Sequence, residues 1–326
     1  MEEKEMYYNR ELTDSLSKLI ESDGKLRWLF DFVKTHSDLD FLIGKEWISV
    51  YRGLSRCITI NPKGKIDGAD TFKKLVPNLY VNINEKIDFK QELIELLSKI
   101  EIEQKFNRYY NNKKEGYFQN AFSRIYGILS DSKSEFVIID KEVVVGYNSK
   151  EKKEELFGKV QKRYKELQEE ISSRNAKRYG KDLQNKPLGN ELDFLALDNK
   201  GNILLIEFKH GGKECNTAGI YLSPLQIGLY YDIFTEYYRN YKTEFEKAIF
   251  DMLKQKQGLG LINSEWENPK CIKKIIPVLV ISEYNQRSSA QEKFKEILEI
   301  CRENFGNNFL SNLQTYNYVD SQLKQW

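Results

Sequence analysis

Three charged side chains interrupt apolar segments in the second half of the chain. Asp193 lies within the run Leu-Asp-Phe-Leu-Ala-Leu that begins at residue 192, and Glu207 and Lys209 lie at the end of the run Ile-Leu-Leu-Ile-Glu-Phe-Lys that begins at residue 203. An ionised side chain in a poorly solvated strand costs several kcal/mol unless a partner or a metal compensates for it. We therefore expect these three groups to share a compensating partner.

The spacing predicts that the three charged groups come together. Both runs are typical of strands, and the Asn-Lys-Gly-Asn segment over residues 199–202 is typical of a turn between them. Because side chains alternate across a strand, Glu207 and Lys209 point to the same face. Antiparallel pairing through the turn brings Asp193 alongside them. Two carboxylates and one ammonium group therefore converge on one hairpin.

This set of groups favours a site for a hard divalent cation. Mg²⁺ prefers carboxylate and carbonyl oxygens and keeps several waters, so the predicted ligands are Asp193, Glu207 and the main-chain carbonyl of Phe208. Mg²⁺ or Mn²⁺ is the expected cofactor. Such a cation lowers the pKa of a bound water and neutralises charge on a phosphate, while Lys209 orients the water or stabilises the pentacoordinate state. The predicted chemistry is phosphodiester hydrolysis, and the alternative is a surface salt bridge between Glu207 and Lys209 that needs no metal.

Asp193, followed after thirteen intervening residues by Glu207-Phe-Lys209, resembles the bipartite signature of the PD-(D/E)xK nuclease superfamily. Leu192 stands where the family name has Pro. The resemblance implies a restriction-endonuclease-like fold, with a mixed central sheet flanked by helices. It also implies a metal-dependent deoxyribonuclease that acts on DNA, and bacterial defence against foreign DNA is one setting for such an enzyme.

A second motif follows in the next predicted helix. Gln226 and Tyr230 have the spacing of the QxxxY motif of the RecB-like branch, and they share one helical face. The resemblance implies that both lie beside the metal site and position the nucleic acid. We predict that Ser223 and Pro224 open this helix, because Ser is a good cap and Pro fits the first helical turn. The alternative to a role at the metal site is that Ser223 and Gln226 form a capping box, while Tyr230 simply packs.

The same family supplies an acidic residue from the helix before the first core strand. Glu115 occupies the matching place in this chain, and it is the candidate for an additional metal ligand. Glu191, close to the first ligand, is the second candidate.

We predict that residues 113–326 form the nuclease domain. The helices and strands that position the candidate residues lie within this range. The apolar periodicity predicts an alternation of helices and strands, so we expect the α/β class with a mixed sheet. A charged helical segment at about 150–178 has a narrow apolar stripe and is expected to be an exposed arm or insertion. Residues 1–112 are expected to form a separate α+β domain with a role in recognition or regulation.

Composition excludes several classes of protein. The 326 residues, 40% hydrophobic and 31% charged, are typical of a folded chain with a sizeable core. The formal net charge is only +2, so any contact with nucleic acid depends on local clusters of charge. The four cysteines form no CxxC pair, which argues against a zinc site or a disulfide framework and favours a cytoplasmic location. We expect no membrane segment, because no apolar run is long enough to span a bilayer.

Three functions remain open at this point. The first is a DNA endonuclease or exonuclease that works alone, with other subunits or as a homo-oligomer. The second is a non-catalytic nucleic-acid-binding or scaffold protein that retains the nuclease fold. The third is an RNA-directed nuclease, because recognition of the 2′-hydroxyl depends on groove shape. The presence of Asp193, Glu207 and Lys209 together favours an enzyme over a scaffold.

Overall fold

The computed structural model describes residues 5–84, 88–102, 114–174, 177–179, 183, 186–212 and 217–326. The strands are β1 (Met6–Tyr7), β2 (Leu39–Gly44), β3 (Trp47–Arg52), β4 (Ser55–Ile60), β5 (Ile66–Asp67), β6 (Phe136–Val143), β7 (Gly146–Tyr147), β8 (Leu192–Asp198), β9 (Asn202–His210), β10 (Lys274–Ser282), β11 (Gln314–Val319) and β12 (Gln322–Gln325). The helices are α1 (Asp14–Ile20), α2 (Arg27–Thr35), α3 (Asp70–Lys73), α4 (Phe89–Ile102), α5 (Glu115–Ile125), α6 (Lys150–Lys153), α7 (Lys159–Arg174), α8 (Ala218–Asn240), α9 (Lys242–Leu259) and α10 (Ala290–Phe305). A 3₁₀ turn at Pro77–Leu79 precedes α4, and a π-helical turn at Glu154–Gly158 joins α6 to α7.

The chain divides into two compact units that are each discontinuous in sequence. The first unit comprises the described parts of Met1–Tyr8, Glu135–Ile249 and Glu267–Trp326. The second comprises the described parts of Asn9–Ser134 together with Phe250–Trp266. This division differs from the boundary expected after residue 112, because α5 belongs to the second unit and α9 is divided between the two.

The second unit contains a four-stranded antiparallel sheet in the order β2-β3-β4-β5. Gly53, at a φ of +59°, forms the turn between β3 and β4. Completely buried apolar side chains from the helices and the sheet form one core, and they include Leu29, Val50, Ile58 and Leu93. This unit therefore has its own hydrophobic core.

The first unit contains a six-stranded mixed sheet in the order β12-β11-β10-β9-β8-β6. Strands β9, β10 and β11 are parallel, and the pairs β6–β8, β8–β9 and β11–β12 are antiparallel. The α/β class that the alternation of elements predicts is confirmed. Among the helices that the structure describes, none combines the length and the apolar character that crossing a bilayer requires.

Helix α8 is the main covering element of the strands that carry the charged residues. It contacts β9 and β10, and α10 in turn packs against α8. Side chains from nearly the whole length of α8 are buried, which agrees with a helix enclosed between a sheet and other helices. Helix α10 begins after its N-cap Ser289 and ends at its C-cap Gly306, which has a φ of +104°.

The charged segment over α6 and α7 is not the exposed arm that its composition predicts. Tyr164 of α7 is completely buried, and its ring packs against the rings of Phe305 and Phe309 at centroid distances of 4.7 and 6.2 Å. Leu167 and Ile171 on the same face are also buried. The narrow apolar stripe therefore anchors α7 to the rest of the first unit, while its lysines and glutamates face solvent.

The turn between β8 and β9 generates the first testable prediction. Gly201 has a φ of +89°, and a Cβ atom there would overlap the carbonyl oxygen of Cys271. An alanine at position 201 would be strained by about 1–3 kcal/mol, because its backbone would be left-handed. The overlap of its Cβ atom with the carbonyl oxygen would destabilise the variant further. We expect Gly201→Ala to lower the midpoint of urea unfolding, measured by circular dichroism, more than Gly306→Ala does. Gly306 also has a positive φ, but no atom lies within 4 Å of its Cβ position, so equal losses in the two variants would contradict the role of the overlap.

Candidate active site

The predicted hairpin of β8 and β9 is present and brings Asp193 to β9. The strands pair from Leu197 opposite Ile203 to Phe194 opposite Ile206. Beyond the last of these pairs, Oδ2 of Asp193 accepts the main-chain N–H of Phe208 at 2.7 Å. Because the N–H and C=O of one strand residue point to the same side, the carbonyl of Phe208 also faces β8. A carboxylate and a main-chain carbonyl therefore lie side by side at this end of the hairpin.

Glu207 and Lys209 form an ion pair that is shielded from solvent. Oε1 of Glu207 accepts a hydrogen bond from Nζ of Lys209, and the two side chains are 5% and 15% exposed. Glu207 is enclosed because it lies opposite Leu279 of the parallel strand β10. The alternative of a surface salt bridge is therefore wrong. A buried ion pair is stable only when its geometry is good and both partners are present.

Helix α8 begins earlier than the sequence predicts. Its first residue is Ala218, five residues before Ser223, and the hydroxyl of Ser223 donates to the carbonyl of Gly219 at 2.9 Å. Serine inside a helix commonly bonds the carbonyl four residues earlier, so the same residue type fits a cap and an interior position. Ser223 is therefore not the N-cap, and the capping-box alternative for Gln226 is wrong.

The two residues of the QxxxY motif hold the segment that leads into β8. Nε2 of Gln226 donates to the carbonyl of Leu188 at 3.3 Å, and the hydroxyl of Tyr230 donates to the carbonyl of Glu191 at 2.8 Å. Between these two carbonyls, Gly189 has a φ of +84°, and a Cβ atom there would lie 2.8 Å from the Tyr230 hydroxyl. Gln226 and Tyr230 therefore fix the approach of the chain to Asp193.

The hydroxyl of Tyr230 also lies in the field of the acidic residues. Burial raises the pKa of Tyr230 far above its usual value of 10, and the negative charges of Glu207, Asp193 and Glu191 raise this pKa further. The hydrogen bond to the backbone at Glu191 acts in the opposite direction but is a smaller effect. Tyr230 therefore remains protonated at neutral pH and serves as a hydrogen-bond donor beside the carboxylates.

The two candidates for a further acidic ligand lie in different units. Glu191 is in the first unit, and its carboxylate is close enough to raise the pKa of Tyr230. Glu115 lies on α5 in the second unit, where its Oε1 accepts a hydrogen bond from Gln119 at 3.2 Å. Within the unit that carries Asp193 and Glu207, Glu191 is therefore the better candidate.

The oxygen donors at this end of the hairpin fit a cation that keeps part of its water shell. In the part of the chain that the structure describes, no three His, Cys, Asp or Glu side chains come together as a metal-binding group. Mg²⁺ is usually held by only one or two carboxylates, and waters fill its other positions. Asp193, Glu207 and the carbonyl of Phe208 provide such a set, whereas a site of nitrogen or sulfur ligands for zinc is not formed by the described residues.

Sequence reasoning missed two residues near this site. The ammonium group of Lys186 and the side chain of Lys209 both lie beside Gly219, at the beginning of α8. Gln168 of α7 is 3% exposed and donates from Nε2 to the carbonyl of Lys186 at 2.8 Å. No sequence motif connects Lys186 or Gln168 to the hairpin, although Pro187 and Gly189 indicate a loop before β8.

Comparisons of the chain with protein-family models, with curated proteins and with solved structures found no match. The superfamily that the residues of β8 and β9 resemble therefore stays a prediction. Any assignment of function therefore depends on the geometry of Asp193, Glu207 and Lys209.

The hydrogen bond of Tyr230 generates the second prediction. Tyr230→Phe removes the hydrogen bond from the Tyr230 hydroxyl to the carbonyl of Glu191, and a bond of this kind typically contributes about 0.5–1.5 kcal/mol to stability. We expect hydrogen exchange of the residues from Leu188 to Asp193, measured by mass spectrometry, to become faster in this variant. Tyr231→Phe on the same helix is the control, and equal exchange in both variants would show that Tyr230 does not hold this segment.

Proposed function

We propose that this chain is a metal-dependent nuclease of the PD-(D/E)xK type, which hydrolyses phosphodiester bonds of DNA. The observation that carries this proposal is the convergence of Asp193, Glu207 and Lys209 on one face of two adjacent strands. A structural ion pair accounts for Glu207 and Lys209 but does not include Asp193, which bonds the main-chain N–H of Phe208. A cation and a phosphate bound at this place account for all three groups.

The architecture of the first unit supports a restriction-endonuclease-like fold. The hairpin β8–β9 lies inside a mixed sheet, β10 is parallel to β9, and α8 covers the strands that bear the charged residues. The Lys-bearing strand is followed by the helix that carries Gln226 and Tyr230, in the order that the resemblance implies. The same helix also contacts the approach to Asp193, which agrees with a positioning role for the motif.

Mg²⁺ or Mn²⁺ is the cofactor that this proposal requires. Asp193, Glu207 and the carbonyl of Phe208 would hold it, with Glu191 as the candidate for a further oxygen ligand. When bound, such a cation supplies a Lewis acid that lowers the pKa of a water and offsets negative charge on a phosphate.

The side chains of the chain itself supply the remaining requirements for hydrolysis. The ammonium group of Lys209 is held by Glu207 and can donate to a phosphate oxygen or orient the attacking water. The hydroxyl of Tyr230 donates its single proton to the carbonyl of Glu191, so Tyr230 positions the segment that leads to Asp193. Because the site is partly buried, charge interactions within it are stronger than they are in bulk water.

A cleavage assay tests the proposal directly. The full chain is incubated with supercoiled plasmid, linear duplex, single-stranded DNA and labelled RNA, with Mg²⁺ or with chelator. We expect metal-dependent cutting of DNA, and a loss of at least about 100-fold in Asp193→Asn, Glu207→Gln and Lys209→Gln, the size expected when a group that stabilises the transition state is removed.

Matched controls separate the site from contaminating activity. Glu267→Gln and Lys200→Gln remove an exposed charge of each sign from the same unit and should cut like the wild type. Equal cutting by the site variants and the wild type would reject the assignment. Binding of nucleic acid without metal and without cutting would instead favour a non-catalytic scaffold protein. Cutting of RNA alone would show that the substrate is RNA and not DNA.

Binding of Mn²⁺ gives a readout that does not depend on substrate. Because Asp193 supplies one of two carboxylate ligands, Asp193→Asn should weaken Mn²⁺ binding by at least about 10-fold, as replacement of groups at metal sites commonly does. The free Mn²⁺ is measured by electron paramagnetic resonance during titration of the protein, and Glu267→Gln is the control. Unchanged affinity in Asp193→Asn would exclude this residue as a ligand.

A further inference from the structure

Two lysine side chains from distant parts of the chain meet at the first turn of α8. A Cβ atom built on Gly219 would lie 3.4 Å from Cδ of Lys209 and 3.8 Å from Nζ of Lys186. Lys209 comes from β9, whereas Lys186 comes from the loop before β8. Their convergence places two ammonium groups on the side of the hairpin that α8 covers.

The main chain at Lys186 and at the described residues near it is positioned by side chains of two helices. The amide of Gln168 donates to the carbonyls of Leu183 and Lys186 at 2.6 and 2.8 Å. Two residues further on, the carbonyl of Leu188 accepts the hydrogen bond from Gln226. The main chain at Lys186 is therefore held from α7 on one side and from α8 on the other.

The lack of a side chain at Gly219 lets both lysine side chains approach the first turn of α8. Gly219 is the second residue of α8, at the end of the helix that carries partial positive charge. Lys186, Lys209 and this turn together concentrate positive charge next to the carboxylates of Asp193 and Glu207. A negatively charged group at Gly219 would therefore lie close to the proposed metal ligands.

We propose that Lys186, Lys209 and the first turn of α8 form a subsite for a backbone phosphate of the nucleic-acid substrate. The proposal rests on the proposed nuclease function and deepens it, because it assigns a binding role to a residue outside the motifs. Lysine contacts to phosphates set the position of a strand without reading its bases. Lys186 is thus a positioning residue that fixes the strand relative to Asp193 and Glu207.

Steady-state kinetics distinguish Lys186 from the catalytic groups. We expect Lys186→Gln to raise KM for a short DNA duplex about 10-fold with kcat nearly unchanged, because a phosphate contact acts mainly on binding. Lys209→Gln should lower kcat. Lys186→Arg keeps the charge and should recover most of the affinity, and Lys200→Gln in the exposed turn should behave like the wild type.

The dependence of binding on salt supplies a readout that a purely structural role would not change. Binding of a fluorescein-labelled duplex to the full chain is followed by anisotropy between low and moderate salt, in the Asp193→Asn background without divalent cations, so that no cutting occurs. Loss of one phosphate contact reduces the slope of log affinity against log salt by about 0.9 for duplex DNA. We expect this reduction in Lys186→Gln and not in Lys200→Gln.

The contact of the two lysines with Gly219 provides an independent test. Gly219→Leu places a larger side chain against Lys186 and Lys209 and should weaken DNA binding about as much as Lys186→Gln, whereas Gly219→Ala meets only ordinary contacts and should have little effect. Circular dichroism and thermal unfolding identify any variant that fails to fold. If Gly219→Leu does not fold, the binding and kinetics of Lys186→Gln decide whether the subsite exists.

The outcomes separate this inference from the function on which it rests. If the wild type cuts DNA but the salt slope and KM are unchanged in Lys186→Gln, the subsite is wrong and the nuclease assignment stands. If the wild type neither binds nor cuts nucleic acid, both proposals are wrong. If Lys186→Gln and Lys186→Arg are equally impaired, the role of Lys186 is structural and the subsite is again rejected.

Discussion

The burial of Glu207 together with Lys209 is the constraint on which the rest of the site depends. Taking each ion out of water costs several kcal/mol, and removing one partner leaves the other without compensation in an apolar setting. Strand β10 pairs with β9 beside Glu207, helix α8 contacts both strands, and the side chains of Glu207 and Lys209 are only 5% and 15% exposed. Asp193, which bonds the main chain at Phe208, adds a second carboxylate to this end of the hairpin.

Support for this arrangement comes from main-chain carbonyls rather than from apolar packing alone. Gln168, Gln226 and Tyr230 each donate a hydrogen bond from a largely buried side chain to a carbonyl in the segment before β8. Each of these bonds links a helix to the loop that delivers Asp193. The helices α7 and α8 thus take part in the geometry of the site, although neither contributes a ligand for the cation.

Local signals predicted the hairpin, whereas the missed features depend on contacts between distant residues. Alternating apolar residues and an Asn/Gly turn identify β8 and β9, because both signals are contained in the hairpin itself. Ser223 has the residue type of an N-cap, and only its bond to Gly219 reveals an interior position. The ring of Tyr164 packs against that of Phe305, and Nζ of Lys186 lies beside Gly219, so both contacts join residues that are far apart in the sequence. The division into compact units differs from the boundary that composition predicts, because contacts between distant residues assign α5 to the second unit.

The short strand β1 links the order of synthesis to the assembly of the first unit. It pairs with β7, and the hydroxyl of Tyr8 donates to the completely buried carboxylate of Asp140 on β6. During translation, residues 9–134 emerge between these two partners, and residues 250–266 emerge later to complete the second unit. Domains tend to fold as units while the chain is made, yet here neither unit has all its segments before part of the other has been synthesised. Segments of the two units therefore alternate as the chain is synthesised. Strands β11 and β12 join the mixed sheet after its other strands have been made.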